Sequence, residues 1–250
     1  MKLLAAILTK NAAPHIGACL ATLQWTDGVI VIDSVSTDNT VQLATALGAQ
    51  VYQHEFINFS IARNNALQRA RELGAAWLLF IDADERVSPT LAQEILTVLP
   101  DSAAIGWWLP RYNHMWGHVM RGGGWYPDYQ LRLLKVNCAH YDPDRQVHEL
   151  AMLTGESAYL KEHLIHYNYS SLAHFRDKQR RYAEFEAQIL YSKGIHAKPW
   201  TYFTMPLREF WRRYITLQGY RDGWRGLQLC SLMGWYMFWS YWTLRRLYAN

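Results

Sequence analysis

At 250 residues, with 50% hydrophobic and 18% charged side chains, the chain is long enough to bury a sizeable core and too apolar for intrinsic disorder. Its three cysteines, Cys19, Cys138 and Cys230, are odd in number and in no metal-ligand spacing, which excludes a disulfide scaffold and favours a reducing compartment. The formal charge of +4 is uneven: residues 195–250 carry eight Lys/Arg against Glu209 and Asp222, together with six of the twelve tryptophans, so the rest of the chain is mildly acidic. Such a body argues against a broad nucleic-acid footprint, while the basic, aromatic end suits an anionic surface.

The apolar run at 3–8 is too short for a signal-peptide core and reads as a first strand. A helix follows, with Ile16, Leu20 and Leu23 at helical spacing, and then a strand at 29–32 that ends in Asp33. The cluster at 34–39 holds side chains that start helices, with Ser36 or Asp38 as the cap, and Gly48 stops the helix it begins. Residues 50–52 are a third strand. Ser60 is expected to cap a helix to Leu73, which Gly74 ends. Residues 77–81, WLLFI, then read as a strand buried on both faces, because nothing polar interrupts them. This βαβα order predicts a parallel sheet with helices on both faces.

Asp82 and Asp84 emerge at the carboxyl end of that strand. Ligands collect there in open α/β sheets, and closely spaced acids can hold a hard divalent cation against a phosphate. An isolated Asp-x-Asp reads more readily as a turn before the helix that Ser88-Pro89 starts. Asp33, at the end of the second strand, is expected on the same edge beside the fourth.

Beyond Leu99 the alternation breaks. A strand is predicted at 106–111, then a loop at 112–127 containing Gly122-Gly123-Gly124, which is either a lid or an irregular surface loop. Residues 130–135 and 158–166 alternate like strands, and 171–190 form a long charged helix. Residues 227–244 lack any charge, at the lower edge of a bilayer span, but their three tryptophans and two tyrosines belong at headgroup level. The predicted arrangement is of interfacial helices lying on a membrane, with a buried helical subdomain or dimer face as the alternative.

Five segments in order, ILTKN at 7–11, VIDSVSTDNT at 31–40, ARNNAL at 62–67, FIDADERVSP at 80–89 and GGWYPDYQLRLL at 123–134, resemble the family-2 glycosyltransferases. Within them the likeness is to the small bacterial enzymes that add glucose to the inner-core heptose of lipopolysaccharide. The resemblance implies an α/β fold of the GT-A kind, a Rossmann-like mixed sheet flanked by helices, over residues 1–170. Its nucleotide-sugar half is placed at 1–100 and its acceptor half at 101–170, followed at 171–250 by a helical, aromatic and basic membrane-facing tail. It further implies a UDP-sugar donor such as UDP-glucose, a divalent metal (Mn2+ or Mg2+), and inversion at the sugar carbon. The partners would be a lipid-anchored saccharide acceptor and an anionic membrane surface, with the protein peripheral on the cytoplasmic face. Another lipid-linked or protein acceptor is the alternative within this class, and a non-catalytic membrane-binding module is the alternative outside it.

By the same resemblance, Thr9, Asn11, Asp33, Asp38 and Arg63 surround the nucleotide, and Arg132 meets the diphosphate. Asp84 is the metal ligand, Asp82 lies on the metal or the ribose, and His148 is a further metal or diphosphate ligand. Asp128 is the first choice for the general base that an inverting transfer needs, and Glu149 the second. These assignments suit the chemistry, because a departing diphosphate gains negative charge that the site must neutralise. One departure stands out: the family's acidic residue after Thr-Lys-Asn is replaced by Ala12-Ala13, which removes a side-chain contact to the nucleotide.

Overall fold

The computed structural model describes residues 1–100, 102–144 and 150–249. Its strands are β1 (Leu3–Thr9), β2 (Val29–Asp33), β3 (Gln50–Gln53), β4 (Trp77–Asp82), β5 (Glu85–Val87), β6 (Gly106–Met115), β7 (His118–Val119), β8 (Asp128–Lys135), β9 (Ala139–Tyr141), β10 (Ala151–Leu153), β11 (Ser157–Tyr159) and β12 (Leu164–Tyr169). The helices are α1 (Ala13–Ala21), α2 (Thr40–Ala46), α3 (Phe59–Glu72), α4 (Pro89–Val98), α5 (Leu172–Ser192), α6 (Thr201–Trp211) and α7 (Gly223–Ala249). They sort into two compact units: Met1–Arg111 with Tyr129–His166, and Tyr112–Asp128 with Tyr167–Asn250.

In the first unit the strand order is β3-β2-β1-β4-β8-β6-β12-β5. The pairs β2/β3, β1/β2 and β1/β4 are parallel, as the βαβα rhythm predicts, whereas β8 runs antiparallel to β4 and β12 antiparallel to β5. Asp33 therefore does not adjoin the fourth strand: β1 lies between, pairing Thr9 with Asp33 on one side and Leu8 with Asp82 on the other. Both acids still finish on one carboxyl edge.

The uninterrupted apolar strand is explained by its two buried faces. Trp77, Leu79 and Ile81 pack into one core with Ile16, Leu20 and Leu91. Leu78 and Phe80 enter the other, against Ala66, Leu67 and Ala70 of α3. Each such side chain contributes about 1.5–3 kcal/mol relative to leaving it in water. Helix α4 starts as predicted, with the Ser88 hydroxyl accepting the Leu91 amide at 3.2 Å. Helix α3 starts earlier than Ser60: Asn58, in extended backbone, accepts the Ile61 amide at 2.8 Å, and Ser60 already lies inside the first turn. The span expected to be one strand at 158–166 is two, β11 and β12, and the predicted 106–111 strand continues to Met115.

The second unit is built from α5, α6, α7 and the 112–128 segment, around Met115, Met120, Tyr169, Phe175 and Leu229. Ser171 caps α5, accepting the His174 amide at 3.1 Å. Between α6 and α7 the chain makes a π-helical turn, Arg212–Thr216, and a 3-10 turn, Gly219–Asp222. Among the described residues, no helix is long and apolar enough to cross a membrane.

Candidate active site

The carboxyl edge of β1, β2 and β4 gathers two linked clusters. The first is organised by Asp33, which is fully buried. Its oxygens accept the Ser36 amide at 2.8 Å, the Ser36 hydroxyl, the Thr9 hydroxyl at 3.1 Å and the Gln53 amide at 3.2 Å. Burial alone would raise its pKa, but the hydrogen bonds from Ser36, Gln53 and Thr9 outweigh it and hold the carboxyl below its ordinary value. Asn11, at φ 51°, accepts the Thr37 amide at 2.8 Å. Asp38 accepts the amides of Thr40 at 3.0 Å and Ala13 at 3.1 Å, so it joins the start of α2 to the Ala12-Ala13 segment. Val35 stands at φ 55°, half exposed, in a region that β-branched residues avoid at a cost of about 1–3 kcal/mol. Strain of that kind persists only where neighbours over-determine the backbone, and the Asp33–Ser36 bonds do so.

The second cluster closes the β4–β5 turn. Asp82 takes a bidentate pair from Arg132 of β8, whose Nη1 donates at 3.1 Å and whose Nη2 donates to the other oxygen. Glu85, fully buried, accepts the Asp82 amide at 2.8 Å and Arg111 Nη1 at 3.0 Å, and lies 3.4 Å from Arg132 Nη2. Burial pushes the Asp82 carboxyl up, but Arg132, Arg63 and Arg111 overcome it and hold the group well below the usual carboxylate range. The same pairing keeps Arg132 protonated despite its burial. Arg63 of α3 lies over the rings of Phe80 and Tyr141, 5.1 and 5.7 Å from their centroids. Asp84 approaches His166 Nε2 at 3.5 Å. Asp82 and Asp84 nonetheless keep 37% and 32% of their side-chain surface open. The edge thus presents two accessible acids backed by three guanidinium groups, an arrangement able to receive both a cation and an anion.

Glu85, Arg111 and His166 were not anticipated from the sequence. Glu85 sat inside the FIDADER segment without a role, and only the rule that a buried acid needs cationic partners could have flagged it. His166 pairs with Glu85 in the β5–β12 register, a relationship 81 residues long that no local pattern displays.

In the second unit, Asp128 accepts Asn113 Nδ2 at 2.9 Å, and the same nitrogen donates to the Trp125 carbonyl at 2.8 Å. Tyr112 stacks on Tyr126, with centroids 5.7 Å apart. The glycine run is anchored by its own unit: the Gly123 amide donates to the Leu217 carbonyl at 2.7 Å, and Arg213 donates to the Gly123 carbonyl at 2.8 Å while covering the Trp125 ring at 5.1 Å. A Cβ on Gly122 would fall 2.2 Å from the Gln218 carbonyl oxygen. Close packing requires glycine at 122, and backbone at φ 67° and 85° favours it at 123 and 124. His148 and Glu149 lie outside the described residues.

Among the described residues no three His, Cys, Asp or Glu side chains converge as a ready-made metal cage. The donor set still suits a hard cation that keeps water and substrate phosphate as most of its ligands, since such ions are commonly bound through one or two carboxylates.

The profile of Glycosyl transferase family 2 matches residues 5–153. The lipopolysaccharide core biosynthesis glycosyltransferase LpsC of Rhizobium meliloti (strain 1021) is 25% identical over 248 residues, 94% of this chain and 85% of its own. Two solved structures share the fold at low identity. The mannosyltransferase PcManGT from Pyrobaculum calidifontis, in complex with GDP-Man and Mn2+, aligns with a TM-score of 0.58 and 13% identity over 97% of this chain and 86% of its own. S. aureus TarS 1-349 in complex with UDP aligns at 0.52 and 14% over 100% and 91%. The mixed sheet flanked by helices is of the GT-A kind, and the chain belongs to glycosyl transferase family 2.

Proposed function

We propose that the protein transfers a hexose, glucose from UDP-glucose in the simplest case, with inversion, to a saccharide acceptor such as the inner-core heptose of lipopolysaccharide. The observation that carries the reading is the pairing of open acids with arginines at the end of β4: Asp82 and Asp84 beside Arg132, Arg111 and Arg63. The likeness to LpsC along most of the chain supports the lipopolysaccharide acceptor, and the GDP-Man, UDP and Mn2+ in the two structures of like fold support a nucleotide sugar with a divalent cation.

Asp84 is the proposed metal ligand, with His166 beside it; Asp82, held by Arg132, would serve the cation or the ribose through its open edge, and His148 is a further candidate. A bound Mn2+ or Mg2+ would supply Lewis acidity toward the leaving diphosphate. Arg132 and Arg63 stabilise the negative charge that gathers on that diphosphate, from positions fixed in advance by Glu85 and the aromatic rings. Thr9, Asn11, Asp33 and Asp38 shape the nucleotide end, with the ionised Asp33 holding Thr9 and Ser36 on the edge where base or ribose would be met. Asp128 takes the proton of the acceptor hydroxyl, oriented by Asn113; Glu149 is the second candidate for this step. The basic, tryptophan-rich end supports a peripheral position of the protein at the cytoplasmic surface of a membrane, where a lipid-anchored acceptor would be met.

A thermal-shift panel of nucleotide sugars with and without Mn2+ or Mg2+ tests the donor half. Stabilisation that requires both a nucleotide sugar and the cation is expected; indifference to all of them would return the chain to the class of membrane-binding modules.

A further inference from the structure

Helix α6 turns its apolar side outward. Its one buried residue is Glu209, whereas Phe203, Leu207 and Trp211, spaced four apart, are 78%, 65% and 59% exposed, and Trp200 extends the stripe by another turn at 61%. Ordinary amphipathic packing does the reverse. Helix α7 lies against α6 closely enough that a Cβ on Gly234 would come 3.0 Å from the Pro206 carbonyl oxygen. It adds a second row, the exposed Trp235 and Trp242 with the half-buried Phe238 between them, stacked at 5.3 and 6.1 Å. Tyr202 joins the two rows, edge-on to Phe238 and Trp242. Between them runs an open groove of about 560 Å³ lined by Phe203, Leu207, Phe210 and Trp235. A contiguous apolar face of this kind on a water-exposed helix pair marks an interaction surface.

The rim states the partner's charge. Lys198 lies 5.4 Å over Trp200 and Arg245 5.8 Å over Trp242, and Arg208 and Arg246 are exposed nearby in sequence. Residues 187–249 contain two acids, Glu209 and Asp222, and both are committed inward: Glu209 to Arg212 and Arg213, Asp222 to the amides of Arg121 and Gly122. This stretch therefore exposes no carboxylate side chain. Two copies meeting through the face would bring like-charged rims together, which opposes self-association. Tryptophan and tyrosine beside cations are the composition that settles at the headgroup level of a bilayer.

We propose that the α6/α7 face lies in the plane of an anionic bilayer, with Phe203, Leu207 and Trp235 in the acyl boundary and Lys198 and Arg245 on lipid phosphates. This rests on the reading of a lipid-anchored acceptor and specifies the surface that reaches it. Truncation is a poor test, because Arg213 and Asp222 also hold the 121–125 segment; exposed point variants are the right tool.

The experiment is co-sedimentation of the full chain with vesicles of phosphatidylcholine alone or mixed with phosphatidylglycerol, alongside sedimentation velocity. The wild type is expected to pellet with the mixed vesicles, less so as salt rises, and to show a blue shift of tryptophan emission. Phe203→Glu with Leu207→Glu should weaken partitioning by about tenfold or more, in keeping with loss of the inserted apolar face, while the melting temperature and the donor-induced thermal shift stay unchanged. A wild type left in the supernatant, or a double variant that pellets equally well, overturns the proposal. A wild-type dimer that the double variant dissociates would do so too, assigning the face to a second copy. Vesicle binding needs no turnover, so a missing donor shift alongside intact binding would count against the transferase reading and not against this surface.

Discussion

Asp222 accepts the backbone amides of Arg121 and Gly122, at 2.8 and 2.9 Å, across about a hundred residues of chain. The carboxylate is buried, with His118 Nε2 at 3.3 Å as its other neighbour. One residue beyond Gly122, Leu217 and Arg213 hold Gly123, so the helical end of the chain fixes the loop that leads into Asp128. Replacing Asp222 with Ala strands the buried amide of Gly122, at about 1–3 kcal/mol, and the part-buried amide of Arg121, at about 1 kcal/mol. Urea denaturation should therefore show a loss of about 2–4 kcal/mol, with Asp222→Asn recovering part of it because its amide oxygen still accepts one bond. Transfer should fall further than donor affinity, which nucleotide titration would separate.

Arg132 faces a different test, because it serves both the fold and the proposed donor site. Arg132→Ala leaves Asp82 to water, which reaches 37% of its side chain, and the buried Glu85 to Arg111 alone, so it should cost less in denaturant than the roughly 3–5 kcal/mol of breaking a fully buried pair. Arg132→Lys keeps the charge but loses the fork that meets both oxygens of Asp82. The lysine variant is expected to fold and to bind a UDP-sugar about tenfold more weakly, given roughly 1.5–3 kcal/mol per charge-assisted bond. Unaltered donor affinity in that variant would confine Arg132 to a structural role.

How much of this was legible follows from the range of each interaction. The strand at 77–81 declared itself because five consecutive apolar residues can be explained only by burial on both faces, and Ser88 declared its helix because a cap acts within three residues. Asn58 was passed over for Ser60 because both are competent caps and only the extended backbone at 58 selects between them. Glu85, Arg111 and His166 stayed hidden because their partners come from strands brought alongside by register, not by neighbouring sequence. The packing contact at Gly122 is hidden for the same reason: the carbonyl of Gln218 that it meets is nearly a hundred positions away.

Glu209 gives a prediction in pH. Burial would raise its carboxyl pKa, but hydrogen bonds from Arg212 and Arg213 outweigh that and hold it below the ordinary value. A depressed folded-state pKa means that the unfolded chain binds the proton first, so the stability Glu209 adds is full above its unfolded pKa of about 4.3. That stability is lost as pH falls through the lower, folded value. The melting-temperature gap between wild type and Glu209→Gln should accordingly be widest near neutrality and close on acidification below about pH 4. A gap that widened in acid would contradict the sign of the shift.

The proposed base can be separated from its rival by combining a removal with a repositioning. Asp128→Asn should lower transfer by about 10²–10⁴-fold, the range for losing a positioned general base, while nucleotide-sugar binding remains. Glu149→Gln, if Glu149 is not the base, should leave most of the rate. Asn113→Ala probes the same assignment more finely, because Asn113 Nδ2 donates to the Asp128 carboxylate. Removing a hydrogen bond to the charged form makes a carboxyl easier to protonate. A base works ionised, so the acidic limb of the rate profile should move to higher pH in Asn113→Ala and vanish in Asp128→Asn. An acidic limb that is unchanged in both, but absent in Glu149→Gln, would transfer the role to Glu149.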